Sequence, residues 1–411
     1  MKPTIVEGIL SDIDGVRHGQ LVIENGIISQ VGTGLGQSDH VFSDDCLIFA
    51  GMGDVHIHAR EDTTASQNYK ETFATAAAAA MNGGVVHVAD MPNNPAAPID
   101  DSTYTAKSDL LRQYSLPVLF TLYAGIGPGT KPLSHTVPYK AYMGPSVGDL
   151  YFRSLEELEE SLSHYPGRAV SFHCEDPILL EKYKGATTHE ARRPPECELS
   201  ATKFALQMIE KYALSGKLCH YSVGEGLTLI REAKERNVPV TAEVTPHHVF
   251  FDTSIITDEN RPWMQMNPPL RSPADRVAML EALRDGTADY LATDHAPHTI
   301  EEKQQGVSGQ PHLDTFGPFA TWLLIEQGFS PERIAAICSA NPGKFVNPYH
   351  SEKYGRLLPE YVGSLTVLNL KKPTKVTRDT LQTRCGWSPF EGMTFPGSVE
   401  AVFVRGVRVM A

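Results

Sequence analysis

The chain has 411 residues, 41% of them hydrophobic and 21% charged, which is enough for a large core with the proportions of an ordinary folded enzyme. Its formal net charge of -13 argues against nucleic acid or an anionic membrane as partner, so any anionic substrate must be held by a few local cations. The opening MKPTIVEGILSDIDG lacks the apolar core of a secretion signal, no stretch reaches the roughly 20 apolar residues of a membrane helix, and six scattered cysteines show no CxxC spacing; a cytoplasmic protein with buried thiols is expected.

In chain order, the first fifty residues read as short β segments, TIVEGILSD, GQLVIENGIISQVG and CLIFAG, with turns at Glu24-Asn25-Gly26 and near Gly32. The pattern then changes to apolar runs alternating with amphipathic stretches. The runs span 51–58, 85–91, 117–123, 137–143, 169–174, 217–222, 238–244 and 289–294. Helical stretches follow most of them: YKETFATAAAAAMNGG, SLEELEESLSHY, SATKFALQMIEKYALSG, LTLIREAKERN and ADRVAMLEALRDG. The third crossover, AGIGPGTKPLSHT, is too rich in Gly and Pro for a helix. The last sixty residues return to β segments, GSLTVLNL and AVFVRGVRVMA, the latter turning at Arg405-Gly406. The expectation is an α/β protein: a (β/α)8 TIM-type barrel over 51–349, with a small β-sandwich domain assembled from 1–50 and 350–411.

In GDVHIHAR, at 53–60, strand alternation points Asp54, His56 and His58 to one side. Further polar residues fall at the carboxyl ends of other runs, where barrel active sites form: Asn93, Lys140, His173, His220, Asn267 and Asp294. Each has a bland alternative. A lone strand histidine is usually a hydrogen-bonded core residue, which is the reading for His87; a strand lysine is usually exposed, and an aspartate after a strand is often a helix cap. Together, four histidines, a lysine and an aspartate converge on one small volume, with ligand types suited to zinc and similar divalent ions. An ammonium cannot ligate a cation, but a buried neutral lysine can react with carbon dioxide to give a carbamate, an anion with two oxygens able to bridge two metals.

The motifs DVHIHAR, MPNNPAAP, YKAYMG, FHCED, RRPPECE, CHYSVGEGLTLIREAK, AEVTPHH, MNPPLR and ATDHAPHTIEEK, in this order, resemble those of dihydroorotases of the amidohydrolase superfamily, and the likeness extends to the terminal SPFEG and VRG segments. The resemblance implies one zinc bound by His56, His58, carboxylated Lys140 and Asp294, and a second by Lys140, His173 and His220. It implies a hydroxide bridging the two ions, Asp294 as catalytic base and then acid, and Arg60, Asn93, Asn267 and His298 as substrate-binding residues. The implied reaction is reversible closure of N-carbamoyl-L-aspartate to L-dihydroorotate in de novo pyrimidine biosynthesis. A homodimer, with possible association with aspartate transcarbamoylase, is the family's expectation.

One departure is VSGQPHLDTFG, where His312 stands at a position often held by glycine, which bears on loop geometry and substrate preference. His247 and His248 are read as supporting or structural, and Cys174 and Cys219, adjacent to His173 and His220, are expected to face away from the barrel lumen. Two alternatives stay open. Hydantoinases, dihydropyrimidinases and allantoinases would share the metal ligands without needing the carboxylate receptor, and an inactive dihydroorotase-like scaffold would have lost ligands that this chain retains.

Overall fold

A computed structural model describes residues 2–146 and 149–410. Met52–Ile57, Val85–Asp90 and Tyr139–Tyr142 are buried along their whole length and the other middle strands over most of theirs, as the near-continuous apolar runs predict for a parallel sheet covered on both faces. Met52–Ile57 pairs in parallel with Val85–Asp90, and that strand with Leu119–Leu122. A second set runs in parallel from Ala124–Ile126 through Tyr139–Tyr142, Ala169–His173, Ser215–Leu218 and Val240–Val244 to Tyr290–Leu291. Tyr123 ends the third predicted run, whose Leu119–Leu122 pairs with the second strand; the pairing to the fourth is made by Ala124–Ile126, the start of the crossover read as irregular. The circle closes where Ile57 bridges His295 and the His58 amide donates to the His295 carbonyl at 2.8 Å. The eight predicted runs thus make a closed (β/α)8 barrel.

The predicted helices form at Phe73–Asn82, Leu155–Leu162, Pro195–Lys211, Leu227–Glu235 and Pro273–Asp285. Their ends follow local chemistry. Thr72 and Thr75 make a capping box at the first, while the last starts at Pro273 behind a Ser272 cap and stops at Gly286 with φ of 93°. Of the helices not foreseen, the longest are Asp101–Arg112 and the apolar Phe316–Ile325, with shorter ones such as Pro177–Tyr183 and Ile300–Gln304. No helix among the described residues is long and apolar enough to cross a membrane.

Both termini build the second layer. Cys46–Ala50 pairs antiparallel with Leu365–Asn369 at the centre of one continuous sheet, flanked by Thr4–Asp12, Gly15–Glu24 and Ile27–Gly32 on one side. Ser398–Val404 and Val407–Met410 complete the other side. The sheet curls over its own core of Val6, Leu21, Ile48, Val367 and Phe403, with the Phe42 and Phe403 rings 6.2 Å apart, giving the predicted sandwich. Its hairpins at Asn25-Gly26 and Arg405-Gly406 have positive φ at both central residues, the type I′ geometry those dipeptides favour. Thr366 ties sheet to barrel, accepting from the Met52 amide and donating to the Gly84 carbonyl.

His87 is a correction. It is buried in the core as expected, but both ring nitrogens lack a hydrogen-bond partner among the described residues. Burial pulls its pKa down to about 3, so the neutral ring packs as an apolar plate over Gly53, where a Cβ would come within 1.8 Å of it.

Candidate active site

At the end of the first strand the alternation that placed His56 and His58 on one face brings both Nε2 atoms to Asp294 Oδ1, at 3.2 and 3.0 Å. Their other nitrogens face acceptors: His56 Nδ1 meets the Glu243 carboxylate, and His58 Nδ1 lies 2.7 Å from Asn93 Oδ1. A neutral imidazole has one N–H, and burial holds both rings well below the usual histidine pKa. With each N–H given to Glu243 or Asn93, two lone pairs point at a carboxylate oxygen. Acceptors facing acceptors need a cation or a proton between them, and the three residues form a candidate metal group. Burial also raises the Asp294 carboxyl to about 7, with Lys140 as the largest charge opposing that rise.

His173 and His220 form a second half-site. His173 Nε2 lies 2.8 Å from Glu175 Oε2, itself paired with Arg193, and its Nδ1 faces His220 Nε2 at 2.9 Å. His220 Nδ1 has no partner among the described residues. The rings of His56 and His220 are 5.3 Å apart, which makes the half-sites neighbours. Lys140 is fully buried, its Nζ 2.8 Å from Cys219 Sγ and 5.1 Å from the centre of the Tyr142 ring, with no carboxylate within salt-bridge distance among the described residues.

Cys219 corrects the sequence reading, since it faces Lys140 and packs with Ala89, Met91 and Tyr123 instead of turning outward. The cause is backbone: the sixth strand ends at Leu218 and His220 has φ of 36°, which breaks alternation and lets adjacent residues both point inward. Cys174, by contrast, lies in the main hydrophobic layer, as expected. Arg60 at 61° and Asp294 at 47° share this left-handed conformation, so strain collects at the strand ends that carry the site.

These side chains open into a cavity whose wall includes His56, His58, Arg60, Asn93, Asn267 and Asp294. Arg60 is only 2% exposed, and its guanidinium has two neutral partners: Nε donates to the Pro297 carbonyl at 3.3 Å and Nη2 lies 3.2 Å from His298 Nε2. No carboxylate pairs with it among the described residues. Asn267 donates to Ser146 Oγ at 3.4 Å and leaves Oδ1 buried without a partner among the described residues. His298 stands behind Arg60, its carbonyl accepting from Trp387 Nε1 at 2.7 Å.

Within the unusual loop, His312 turns away from the cavity. His312 points to His247, 2.9 Å away, and its amide donates to His295 Nδ1, while Ser308 and Gly309 form the wall. Gly309 has φ of 135°, and a Cβ there would lie 2.6 Å from the Ala296 carbonyl oxygen. His248 is held by Thr245 Oγ1 and the Pro268 carbonyl, a structural role.

Sequence reasoning missed Tyr142, whose buried hydroxyl lies at the cavity without a partner among the described residues, although its spacing from Lys140 on one strand predicts a shared face. It also missed Glu243, the inward carboxylate of an otherwise apolar strand. Glu243 contacts His56, accepts from the His220 amide at 3.0 Å and pairs with buried Lys217, so one side chain braces both half-sites. Because Lys217 already satisfies it and His56 reaches it through Nδ1, the alternative grouping of His56, Cys219 and Glu243 is a support rather than the better metal site.

A model of the amidohydrolase family matches residues 154–409. The chain belongs to the amidohydrolase family. This amidohydrolase is 31% identical over 398 residues to a Pyrococcus furiosus protein named dihydroorotase, covering 96% of this chain and 89% of the relative. It is likewise 31% identical over 403 residues to a Thermococcus kodakarensis dihydroorotase, covering 95% and 90%. Among solved structures it superposes on the L-hydantoinase (dihydropyrimidinase) from Arthrobacter aurescens with a TM-score of 0.89, at 24% identity and covering 100% and 96% of the two chains. A Brevibacillus agri dihydropyrimidinase gives 0.84 at 18% identity, covering 99% and 95%; at such identities the likeness is one of fold. The kinship makes this amidohydrolase a cyclic amide hydrolase.

Proposed function

We propose that the chain is a dihydroorotase, interconverting N-carbamoyl-L-aspartate and L-dihydroorotate in pyrimidine biosynthesis. The observation that carries this reading is Arg60, a guanidinium buried in the cavity wall with only neutral partners. Burying an uncompensated cation is costly, and a substrate carboxylate is the partner that offsets it. Asn93 and His298 flank the same wall, and Asn267 offers an unpartnered acceptor to a ring N–H.

The donor sets suit divalent ions, with zinc the natural choice for imidazole and carboxylate ligands: His56, His58 and Asp294 would hold one, His173 and His220 would serve a second, and Lys140, converted to a carbamate, would add an anionic ligand. When bound, such a pair supplies Lewis acidity toward a carbonyl oxygen and makes water a nucleophile near neutral pH. Arg60 anchors the ring by its carboxylate. Asp294 accepts the proton of the attacking water as the C–O bond forms, then delivers it to the ring nitrogen as the C–N bond breaks. Synthesis reverses these steps.

The test is a comparison of kcat/KM for L-dihydroorotate, hydantoin and allantoin with one preparation. L-dihydroorotate is expected to exceed the other two by about a hundredfold or more, since a site built around a charged partner rejects rings that leave it unpaired. Equal rates, or a preference for hydantoin, would make the protein a hydantoinase-type enzyme. Glu243→Gln should lower metal affinity by about 10- to 100-fold, read as ions retained per chain after dialysis against a chelator, because its contact to His56 orients a ligand.

A further inference from the structure

Behind the carboxylate receptor lies a set of charges that the proposed reaction does not use. His298 is fully buried between Arg60 and Glu302: its Nε2 is 3.2 Å from Arg60 Nη2, and its Nδ1 is 3.2 Å from Glu302 Oε2. An arginine can only donate, so Nε2 accepts and the single proton of the neutral ring sits on Nδ1, which faces Glu302 Oε2 although Lys70 Nζ also lies 3.3 Å from that nitrogen. Glu302 also takes Lys70 Nζ at 2.9 Å, Tyr69 Oη at 2.7 Å and the Thr299 amide at 3.1 Å. Burial alone would raise its pKa, but the bonds from His298, Lys70 and Tyr69 outweigh that and hold it well below the usual carboxylate range. The charged groups facing His298 are therefore Arg60, Lys70 and Glu302, from three different segments, with Tyr69 behind Glu302.

In the ligand-free site burial keeps His298 neutral, its pKa near 3. An entering carboxylate changes the balance. Arg60 must turn its N–H groups to the new anion, which leaves the Nε2 lone pair of His298 facing a carboxylate oxygen unless that nitrogen gains a proton; the proton already on Nδ1 stays there because moving it to Nε2 would leave Nδ1 as an acceptor facing the Glu302 carboxylate, even with Lys70 nearby. We propose that His298 takes up one proton when a substrate carboxylate binds beside Arg60, and that Glu302 is the positioning residue that makes the imidazolium possible. The ion then stands between two carboxylates, one from the substrate and one from the protein, and donates to both. The inference rests on the carboxylate-receptor reading of Arg60 and extends it to Glu302, with Lys70 keeping Glu302 ionised while the receptor is empty.

Calorimetric titration of the metal-loaded enzyme near pH 8, in buffers of different ionisation enthalpy, tests it. The probes are orotate, a flat ring bearing the carboxylate, and uracil, the same ring without it. Orotate is expected to bind with uptake of close to one proton and uracil with none, and the orotate Kd should rise about tenfold per pH unit above neutrality. Glu302→Gln should abolish the uptake and weaken orotate about 10- to 100-fold while leaving uracil unchanged. Tight orotate binding without uptake in the parent enzyme, or full uptake in Glu302→Gln, would overturn the inference and leave the receptor standing. Orotate binding no tighter than uracil would overturn the receptor reading and the inference with it.

Discussion

Lys140→Ala is expected to abolish turnover, to below about a thousandth of the parent rate, with acetate or propionate restoring part of it. The expectation follows from burial and charge. Lys140 sits among groups that could hold a cation, its amine beside a thiol and an aromatic ring and without a carboxylate partner among the described residues. As an ammonium there it would oppose any metal ion; as a carbamate it is the anion that the two half-sites lack. Removing a bridging ligand costs several kcal/mol of transition-state stabilisation, about a thousandfold in rate. The truncation to alanine leaves room for a small carboxylate to take the same position, which a purely structural lysine would not permit. Full activity of the mutant, or loss without any rescue across a range of carboxylates while metal content stays intact, would remove the bridging role.

Arg60→Met keeps the stem of the side chain and deletes its charge. It is expected to cut kcat/KM for L-dihydroorotate by about a hundredfold or more, the cost of removing one partner of a buried ion pair. A cyclic amide without the carboxylate should lose far less, because its ring never used the guanidinium. Measuring the two substrates side by side separates recognition from general damage to the site: equal losses on both would mean that Arg60 only maintains local structure through the Pro297 carbonyl and His298.

Much of this site was legible because strand alternation and barrel topology are simple. His56, His58 and Lys140 lie on or just beyond buried strands of the parallel barrel, and the closing bridge at His295 brings Asp294 beside the first two. What escaped the sequence follows from local backbone and from polar pairing. Positive φ at His220 turned Cys219 inward, against the alternation that His173 and Cys174 obey. The helix Asp101–Arg112 was missed because it shows no apolar stripe: its one fully buried residue is Lys107, paired with Asp90 at 2.6 Å. That pair in turn supports the strand end, since Asp90 accepts from the Ala59 amide next to Arg60. Glu243, Glu175 and Glu302 were passed over because each acts on a histidine distant from it in chain or turned toward it by a loop, a relation that spacing alone does not reveal.

Anomalous scattering at the zinc edge from crystals of the zinc-loaded protein tests the central claim most directly. Two peaks are predicted, one bounded by His56, His58 and Asp294 and the other by His173 and His220, with planar density extending from Lys140 Nζ between them. A bare amine at Lys140 with a single ion held by His56, Cys219 and Glu243, or with no ion at all, would contradict it.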